Sequence, residues 1–316
     1  MLDDVTGPPD VTVVMPTYQR WQRLGRTLQC ALDQVGVDLE VLIVSDGEQK
    51  MPPDFLPPDE DRVRVIYPPV DKGVAYARNL GVEDARAPWV AFLDDDDLWA
   101  PDKLARSLEA ARAADASWVF ASALAVDDQM TPVEFFPAPP PGGLLRSLFE
   151  YQRIPAGCSN VLARTDFMRS LGGFDESFHQ LADWDMWIRM AAAGPAACVD
   201  EVLVAYVQHE GSMLLTHRDW VFAEFNRLRS KHRDLERKQG QRINAEGYAF
   251  WVSGRLEDAG FRGRAVRASL YAAARYADLG VLANAARLAL GIGRKSDAIE
   301  PVPTELPGWM REFAAS

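Results

Sequence analysis

Short apolar segments alternate with helical patterns along the first half of the chain. Four segments rich in β-branched and other apolar residues predict strands, namely Val11–Pro16, Leu39–Ser45, Val63–Tyr67 and Trp89–Leu93. Between them, apolar residues recur at helical spacing, and the predicted helices are Arg20–Gln34 and Gly73–Ala85. Strands that alternate with helices and are apolar on both faces predict a parallel sheet with helices on both sides.

The second half of the chain continues this pattern and then becomes helical only. Further strands are predicted at Trp118–Val126, Gly157–Ala163 and Val202–Val207, and a helix at Asp183–Ala193. Beyond about Thr216 only helical periodicity remains. We therefore predict a mostly parallel α/β domain over residues 1–215, followed by a C-terminal helical region over residues 216–316.

Charge divides unevenly between these two parts. Residues 1–217 hold 17 basic and 34 acidic side chains, whereas residues 218–316 hold 17 basic and 12 acidic ones. The net charge of −12 argues against general nucleic-acid binding. The three cysteines are scattered, and MLDDVTGPPD lacks the apolar segment of a signal peptide. We therefore expect reduced thiols and a cytoplasmic location.

Four consecutive aspartates, Asp94–Asp97, directly follow a predicted buried strand. Adjacent carboxylates repel one another, so such a run does not stabilise a strand end by itself. Carboxylate oxygens suit Mg²⁺ or Mn²⁺, and these ions commonly bridge to substrate phosphates. Asp46 and Asp94 both fall where a parallel sheet binds ligands, beyond the carboxyl ends of its strands. The alternative interpretation of Asp94–Asp97 is a solvated acidic loop.

Six segments in this order resemble the family 2 inverting glycosyltransferases of the GT-A fold, a Rossmann-like α/β sandwich. They are VTVVMPTYQR, LEVLIVSDG, VDKGVAYARNLGV, WVAFLDDDDLW, LGGFDESFHQLADWDMWIRM and YVQHEGSM, and the resemblance covers roughly residues 11–215. It implies a nucleotide-sugar donor, a bound Mn²⁺ or Mg²⁺, Asp96 as principal metal ligand and His209 near the metal or diphosphate. The implied donor-binding residues are Pro16, Thr17, Tyr18, Asp46, Arg78, Asp94 and Asp95.

The resemblance also implies that Asp183 is the catalytic base. Inverting transfer is a single displacement, so a base must take the acceptor's proton opposite the leaving group. The family usually has an acid immediately before this base, whereas the chain has Ala182. Asp185 is the alternative base, and capping of the helix N-terminus is an alternative role for Asp183.

Structural alternatives exist for the other residues as well. By the resemblance, Asp46 recognises the nucleobase, Arg78 faces the donor and Asp94 contacts the ribose. Asp46-Gly47 is also a turn sequence, and Arg78 could be a helix residue in a salt bridge. His209 could be a loop histidine without a ligand role.

The predicted function is metal-dependent, inverting and non-processive transfer of a sugar, most often from a UDP-sugar, to an acceptor nucleophile. The QxxRW signature of processive synthases is absent. Two alternatives are a sugar nucleotidyltransferase and a catalytically inactive nucleotide-sugar-binding protein. The first requires a glycine-rich phosphate loop after the first strand, but PTYQRWQRLG has no glycine before Gly25.

The basic segment Arg227–Arg242 has two interpretations. It could contact anionic lipid headgroups or a phosphorylated acceptor, which would make the protein peripheral at the inner face of the membrane. Its acidic interruptions also suit a solvated helix face. The helical region is expected to serve the acceptor side or the formation of a homo-oligomer, and the acceptor itself is not predicted.

Overall fold

A computed structural model of the chain has a mixed β-sheet flanked by helices, followed in sequence by a further group of helices. The structure describes residues 7–47, 50–52, 54–57, 60–208, 221–292, 301–303 and 305–314. The strands are β1 Val11–Thr17, β2 Leu39–Ser45, β3 Val63–Ile66, β4 Trp89–Phe92, β5 Leu98–Trp99, β6 Trp118–Val126, β7 Pro132–Phe136, β8 Leu162–Arg164 and β9 Ala196–Val207.

Twelve α-helices lie within these described ranges. They are α1 Trp21–Leu32, α2 Val74–Asp84, α3 Lys103–Ala113, α4 Leu144–Glu150, α5 Thr165–Ser170, α6 Ala182–Ala193, α7 Val221–Lys231, α8 Arg233–Gln239, α9 Ala245–Asp258, α10 Arg262–Tyr276, α11 Leu279–Ala289 and α12 Arg311–Ala314. Within the same ranges, no helix is both long and apolar enough to cross a bilayer.

The sheet has the order β3-β2-β1-β4-β8-β6-β9-β5, with β7 paired to β6. The pairs β2–β3, β1–β2, β1–β4 and β6–β9 are parallel. The pairs β4–β8, β6–β8, β6–β7 and β5–β9 are antiparallel. The predicted α/β fold with parallel strands is confirmed, but half of the strand pairs are antiparallel because β5, β7 and β8 are short strands entered by reversals of the chain.

The strands that carry the site are buried on both faces. Every residue of β1, β2 and β4 is buried, which is the expected consequence of helices covering a parallel sheet on both sides. Helix α2 approaches β1 closely at Gly81, where an added Cβ would lie 2.3 Å from Val14 Cγ1. This approach fixes the position of α2 against the end of the sheet.

The predicted strand Gly157–Ala163 is only partly a strand. Gly157–Asn160 forms a 3₁₀ turn, and β8 begins at Leu162. The reason is polar side chains that bind backbone elsewhere: the Asn160 carboxamide donates to the Ala121 carbonyl at 2.6 Å and accepts from its amide at 2.8 Å. The turn thus attaches to the middle of β6.

The chain forms two compact units, with boundaries that differ from the predicted one. The first comprises Met1–Gly142, Ile154–His209 and Glu300–Ser316, and the second comprises Gly143–Arg153 and Glu210–Ile299. In the first unit Met310 is fully buried, and Trp309 Nε1 donates to the Val202 carbonyl at 3.1 Å. The end of the chain therefore belongs to the sheet-containing unit.

The second unit is helical in its described part. Its core contains the stacked rings of Phe225 and Tyr248, whose centroids lie 4.1 Å apart. Asn284 of α11 donates to Ser253 of α9 at 3.0 Å and to Ser269 of α10 at 3.2 Å. These buried hydrogen bonds link three helices and set their register, because an unpaired amide would be costly there.

Candidate active site

Polar residues gather at one edge of the sheet, where β1, β2 and β4 end. Thr17 is the last residue of β1, Asp46 follows β2, and Asp94 follows β4 by two positions. The Asp46 amide donates to the Thr17 carbonyl at 2.9 Å, and Thr17 Oγ1 donates to Asp95 Oδ2 at 2.7 Å. The ends of these three strands therefore meet at one edge of the sheet.

The four aspartates alternate between buried and accessible positions. The side chains of Asp94 and Asp96 keep 34% and 15% of their surface exposed, whereas Asp95 and Asp97 are about fully buried. The chain turns here, with the Asp97 amide donating to the Asp94 carbonyl at 3.3 Å. Asp94 and Asp96 are therefore the two carboxylates of this run that a ligand can reach.

The buried carboxylates hold neighbouring segments together. Asp97 accepts from Ser159 Oγ and, at 2.9 Å, from the amide of Val207 at the end of β9. Burial raises the pKa of Asp97 well above its ordinary value, and burial raises the pKa of Asp95 to about 6. This linking role of Asp97 was not predicted from the sequence.

Two arginines pair with the accessible carboxylates. Arg78 of α2 is buried, donates to Asp94 Oδ1 at 2.5 Å and lies 5.7 Å from the centroid of the Phe174 ring. Burial alone would lower the pKa of Arg78, but the Asp94 carboxylate raises it above its ordinary value. Arg20, which was not predicted as a site residue, contacts Asp96 at 3.1 Å and Asp95 at 3.4 Å.

Asp183 lies in the first turn of α6, and its charge acts on Arg78. A Cβ added at Gly157 would lie 3.4 Å from Asp183 Oδ2. Arg78, Asp94 and Asp183 all act on the thiol of Cys158, whose pKa burial raises well above its ordinary value. Asp183 thus shares one electrostatic cluster with Arg78 and Asp94.

The structure distinguishes between the alternative roles of Asp183 and Asp185, the two acids in the first turn of α6. The N-cap of α6 is Leu181, so Asp183 is not the capping residue, although its Oδ1 accepts from the Trp184 amide at 2.6 Å. Asp185 is fully buried and pairs with Arg189 at 2.8 Å. Positions two residues apart lie on opposite sides of a helix, so Asp185 faces the interior while Asp183 does not.

Asp46 is buried and contacts the start of α2. Its Oδ2 accepts from the Gly73 amide at 2.9 Å, 27 residues away in the sequence. Its contact is therefore not confined to the local Asp-Gly turn. Nearby, Pro16 is buried and Tyr18 is 52% exposed, so the tyrosine ring is accessible beside the strand ends.

The donor set at this edge fits a divalent cation only in part. Within the described ranges, no group of three or more His, Cys, Asp and Glu side chains could hold an ion. His209, the second predicted metal ligand, lies outside the described residues. The partly exposed carboxylates of Asp94 and Asp96 fit Mg²⁺ or Mn²⁺ as two protein ligands, because Mg²⁺ usually keeps waters and substrate phosphates as its other ligands.

Known proteins match the region that builds this site. Residues 12–164 match the model of glycosyl transferase family 2. The succinoglycan biosynthesis protein ExoO of Rhizobium meliloti is 40% identical over 109 residues, 34% of this chain and 31% of ExoO. The uncharacterized glycosyltransferase YwdF of Bacillus subtilis is 28% identical over 196 residues, 57% of this chain and 68% of YwdF.

The fold has solved counterparts too. Crystallised residues 1–349 of S. aureus TarS, in complex with UDP-GlcNAc, superpose with a TM-score of 0.61 at 14% identity, covering 92% of this chain and 95% of that one. This likeness confirms the GT-A type of fold. Three of the curated relatives match over only 31% to 41% of their own length. The match to the model of glycosyl transferase family 2 spans the segments that carry Asp46, Arg78 and the four aspartates.

Proposed function

We propose that the chain is a metal-dependent, inverting glycosyltransferase that moves a sugar from a nucleotide-sugar donor to an acceptor nucleophile. The observation that carries the proposal is the pair of buried Arg78 with Asp94 at the carboxyl edge of the sheet, beside the accessible Asp96. Asp94 and Asp96 offer carboxylates to a cation, and Arg78 offers a buried positive charge to phosphate. Asp183, whose charge acts on Arg78, offers a carboxylate that could accept a proton. These groups suit the base catalysis and the leaving-group stabilisation of inverting transfer.

Asp96 is the proposed principal metal ligand, Asp94 lies next to it on the accessible side, and His209 is a further candidate ligand. A bound Mn²⁺ or Mg²⁺ would supply positive charge for the departing nucleoside diphosphate. The ion pairs of these aspartates with Arg78 and Arg20 keep two guanidinium groups beside the same carboxylates. Such groups bind phosphate oxygens in a bidentate manner, so we propose that both arginines turn part of their hydrogen bonding to the diphosphate.

Asp183 is the proposed base. Its carboxylate would accept the proton of the acceptor hydroxyl as the bond to the anomeric carbon forms. Support comes from its place in the charge cluster with Arg78 and Asp94, and from the burial of Asp185 in an ion pair with Arg189. Of these two carboxylates, Asp185 is already committed to Arg189.

UDP-sugar is the proposed donor, and GDP and dTDP are the alternatives. The buried Asp46 carboxylate at the end of β2 would accept a hydrogen bond from a base N–H, which uracil, thymine and guanine all possess. The TarS structure with a similar fold contains UDP-GlcNAc, and this makes UDP the first nucleotide to test. Asp94 would contact the ribose, and Thr17 and Asp95 would hold the base pocket in shape through their mutual hydrogen bond.

A single-addition reaction in the cytoplasm completes the proposal. In the basic segment Arg227–Arg242, Arg237 pairs with Asp234 at 2.8 Å and Arg229 approaches Glu236 at 3.8 Å. These pairs support the solvated-face interpretation over contact with anionic lipid. The assignment of the helical region to the acceptor side or to a homo-oligomer stays a prediction.

The test of the function is release of UDP from a panel of UDP-sugars in the presence of Mn²⁺. We expect slow release by hydrolysis without an acceptor, and its loss when EDTA removes the metal. The variant Asp183→Asn should bind UDP normally. Once an acceptor is found, sugar transfer by this variant should produce UDP from the UDP-sugar more slowly than transfer by the wild type. Release that continues unchanged in EDTA would refute metal dependence.

A further inference from the structure

Two carboxylates converge on one backbone amide beside the proposed nucleobase pocket. The amide of Gly73, just before α2, donates to Asp46 Oδ2 at 2.9 Å and to Asp71 Oδ1 at 3.1 Å. Gly73 has a φ of +88°, a conformation that favours glycine and turns its amide toward both acids. Because both oxygens lie within hydrogen-bond distance of one nitrogen, the two acids are close neighbours.

This arrangement leaves part of Asp46 without a partner. Asp46 is only 5% exposed, and its Oδ1 is buried with no hydrogen-bond partner among the residues that the structure describes. A buried carboxylate oxygen without a donor is costly, so a ligand that brings an N–H group to it would gain affinity. The Watson–Crick edge of uracil offers such a group, with the N–H of N3 between two carbonyls.

The basic side chains near Asp46 do not neutralise the pair of acids Asp46 and Asp71. Lys72 directs its amine toward the Tyr76 ring, 4.6 Å from the centroid, and Lys50 lies 5.8 Å from the centroid of the Tyr67 ring. Over the described part of the chain, neither Asp46 nor Asp71 forms an ion pair. Burial, followed by the hydrogen bond and the charge of Asp71, raises the pKa of Asp46 to about 6.

We propose that Asp71 is a positioning residue of the nucleobase pocket, whose carboxylate decides whether Asp46 is charged and thereby makes donor affinity sensitive to mild acid. The inference rests on the proposed nucleotide-sugar function. Above the pKa, ionised Asp46 accepts from the base N–H. Below it, the added proton occupies one of the oxygens and is shared with Asp71, so Asp46 loses acceptor strength toward uracil.

The direction of the pH effect follows from this. Affinity for uracil nucleotides is fully present well above pH 6 and is lost as the pH falls through the pKa of Asp46. Removing the charge of Asp71 leaves only burial to raise the pKa of Asp46, so this pKa should fall. The loss of affinity for uracil nucleotides should then occur at lower pH. A residue that merely supports the loop would change affinity equally at every pH.

The experiment is calorimetric titration of UDP with Mn²⁺ between pH 5.5 and pH 8, on the full chain. We expect wild-type affinity to be about fourfold weaker at pH 5.5 than at pH 8 through Asp46, and less than about twofold weaker in Asp71→Asn. The matched control Asp61→Asn removes the same charge from an exposed position and should follow the wild-type profile. Titration of the UDP phosphates and of Asp95 is common to all three proteins and cancels in the comparison.

The possible results separate the two claims. If UDP fails to bind the wild-type chain even at pH 8, the nucleotide-sugar function is refuted and this inference with it. If UDP binds but the Asp71→Asn profile superimposes on the wild-type profile, only the role of Asp71 is refuted. A shift of the same size in Asp61→Asn would also overturn it, because net charge would then be the cause.

Discussion

The four consecutive aspartates differ in role although they are identical in chemistry. Asp94 and Asp96 face the accessible side, while Asp95 and Asp97 bind Thr17, Ser159 and Val207 in the interior. Sequence could predict a ligand site here from four acids after a buried strand. The local sequence could not show which of these acids are buried, because the alternation depends on how the turn after β4 meets β9 and the 3₁₀ turn.

We predict that Asp96→Ala and Asp97→Ala have opposite consequences. Asp96→Ala should abolish Mn²⁺-dependent UDP binding with little loss of stability, because it removes an accessible ligand and one repulsive charge. Asp97→Ala leaves the buried Val207 amide and Ser159 hydroxyl without their acceptor, which costs on the order of 2–4 kcal/mol. Urea unfolding and calorimetry of both variants check this, and equal stability losses would contradict it.

The central residue prediction concerns Asp183. Asp183→Asn keeps the shape of the side chain but cannot take a proton, so turnover should fall by about 10²–10⁴-fold with UDP affinity unchanged. The matched variant Asp185→Asn should act on stability, by on the order of 2 kcal/mol, since it weakens the pair with Arg189. Steady-state kinetics decide the assignment: a dead Asp185→Asn beside an active Asp183→Asn would exchange the two roles.

Lys103 gives a pH-dependent stability prediction. It is fully buried, lies 4.2 Å from the centroid of the Trp99 ring, and burial lowers its pKa to about 7. The unfolded chain holds this proton up to about pH 10, so the cost of keeping Lys103 in the fold is largest below pH 7 and fades as pH rises.

Lys103→Met should therefore be more stable than wild type at pH 6.5, and the advantage should shrink by on the order of 3 kcal/mol at pH 9.5. Urea unfolding at the two pH values measures the difference. An advantage that stays constant with pH would show that Lys103 does not titrate in this range.

At the scale of elements, the sequence predicted the strands that bear the site and missed several that flank it. β1, β2 and β4 are uninterrupted apolar segments, and such segments depend little on their surroundings. The two residues of β5 carry no periodicity, and β8 follows a 3₁₀ turn whose polar side chains are satisfied only in the folded sheet. Long-range pairing therefore decides these elements, which local pattern cannot show.

The close packing of α2 on β1 gives a prediction at this scale. Gly81→Ala would put a Cβ 2.3 Å from Val14 Cγ1 and 2.6 Å from its Cγ2, so the helix must move away from the sheet. We expect a loss of about 1–3 kcal/mol and weaker UDP binding, because α2 carries Arg78.

Gly25→Ala in α1 is the matched control. Its added Cβ would meet only Phe55 at 3.9 Å, an ordinary contact, and alanine favours the helix by about 0.5–1 kcal/mol. Thermal unfolding of both variants tests the contrast. A Gly81→Ala protein as stable as the wild type would show that α2 can move away from β1 at little cost in free energy.

At the scale of the whole molecule, the predicted domain boundary at residue 216 matches the change in hydrophobic periodicity. It does not match the two compact units, because each unit is built from more than one segment of the chain. The first unit regains Glu300–Ser316 after the helices, and the second unit includes Gly143–Arg153. The sequence LPGWMREFAA is too short to show periodicity, so its burial could not be predicted. Truncation before Arg218 would therefore remove part of the first unit as well.

The returning segment should stabilise the sheet-containing unit. Met310 is fully buried in its core, so Met310→Ala is expected to cost about 2–4 kcal/mol of unfolding free energy. Glu312→Ala, at an exposed position two residues later, should change it by less than about 0.5 kcal/mol. Urea unfolding compares the two, and a negligible effect of Met310→Ala would mean that the segment detaches at little cost.

The central question about this protein is whether the carboxyl edge of its sheet binds a nucleoside diphosphate through a metal. Calorimetric titration of UDP into the wild-type chain, with and without Mn²⁺, measures this, with Asp96→Ala beside it. We predict that UDP binding requires Mn²⁺ in the wild type and is lost in Asp96→Ala while the variant stays folded. Absence of binding by UDP, GDP and dTDP alike, or binding that is indifferent to both Mn²⁺ and Asp96, would contradict it.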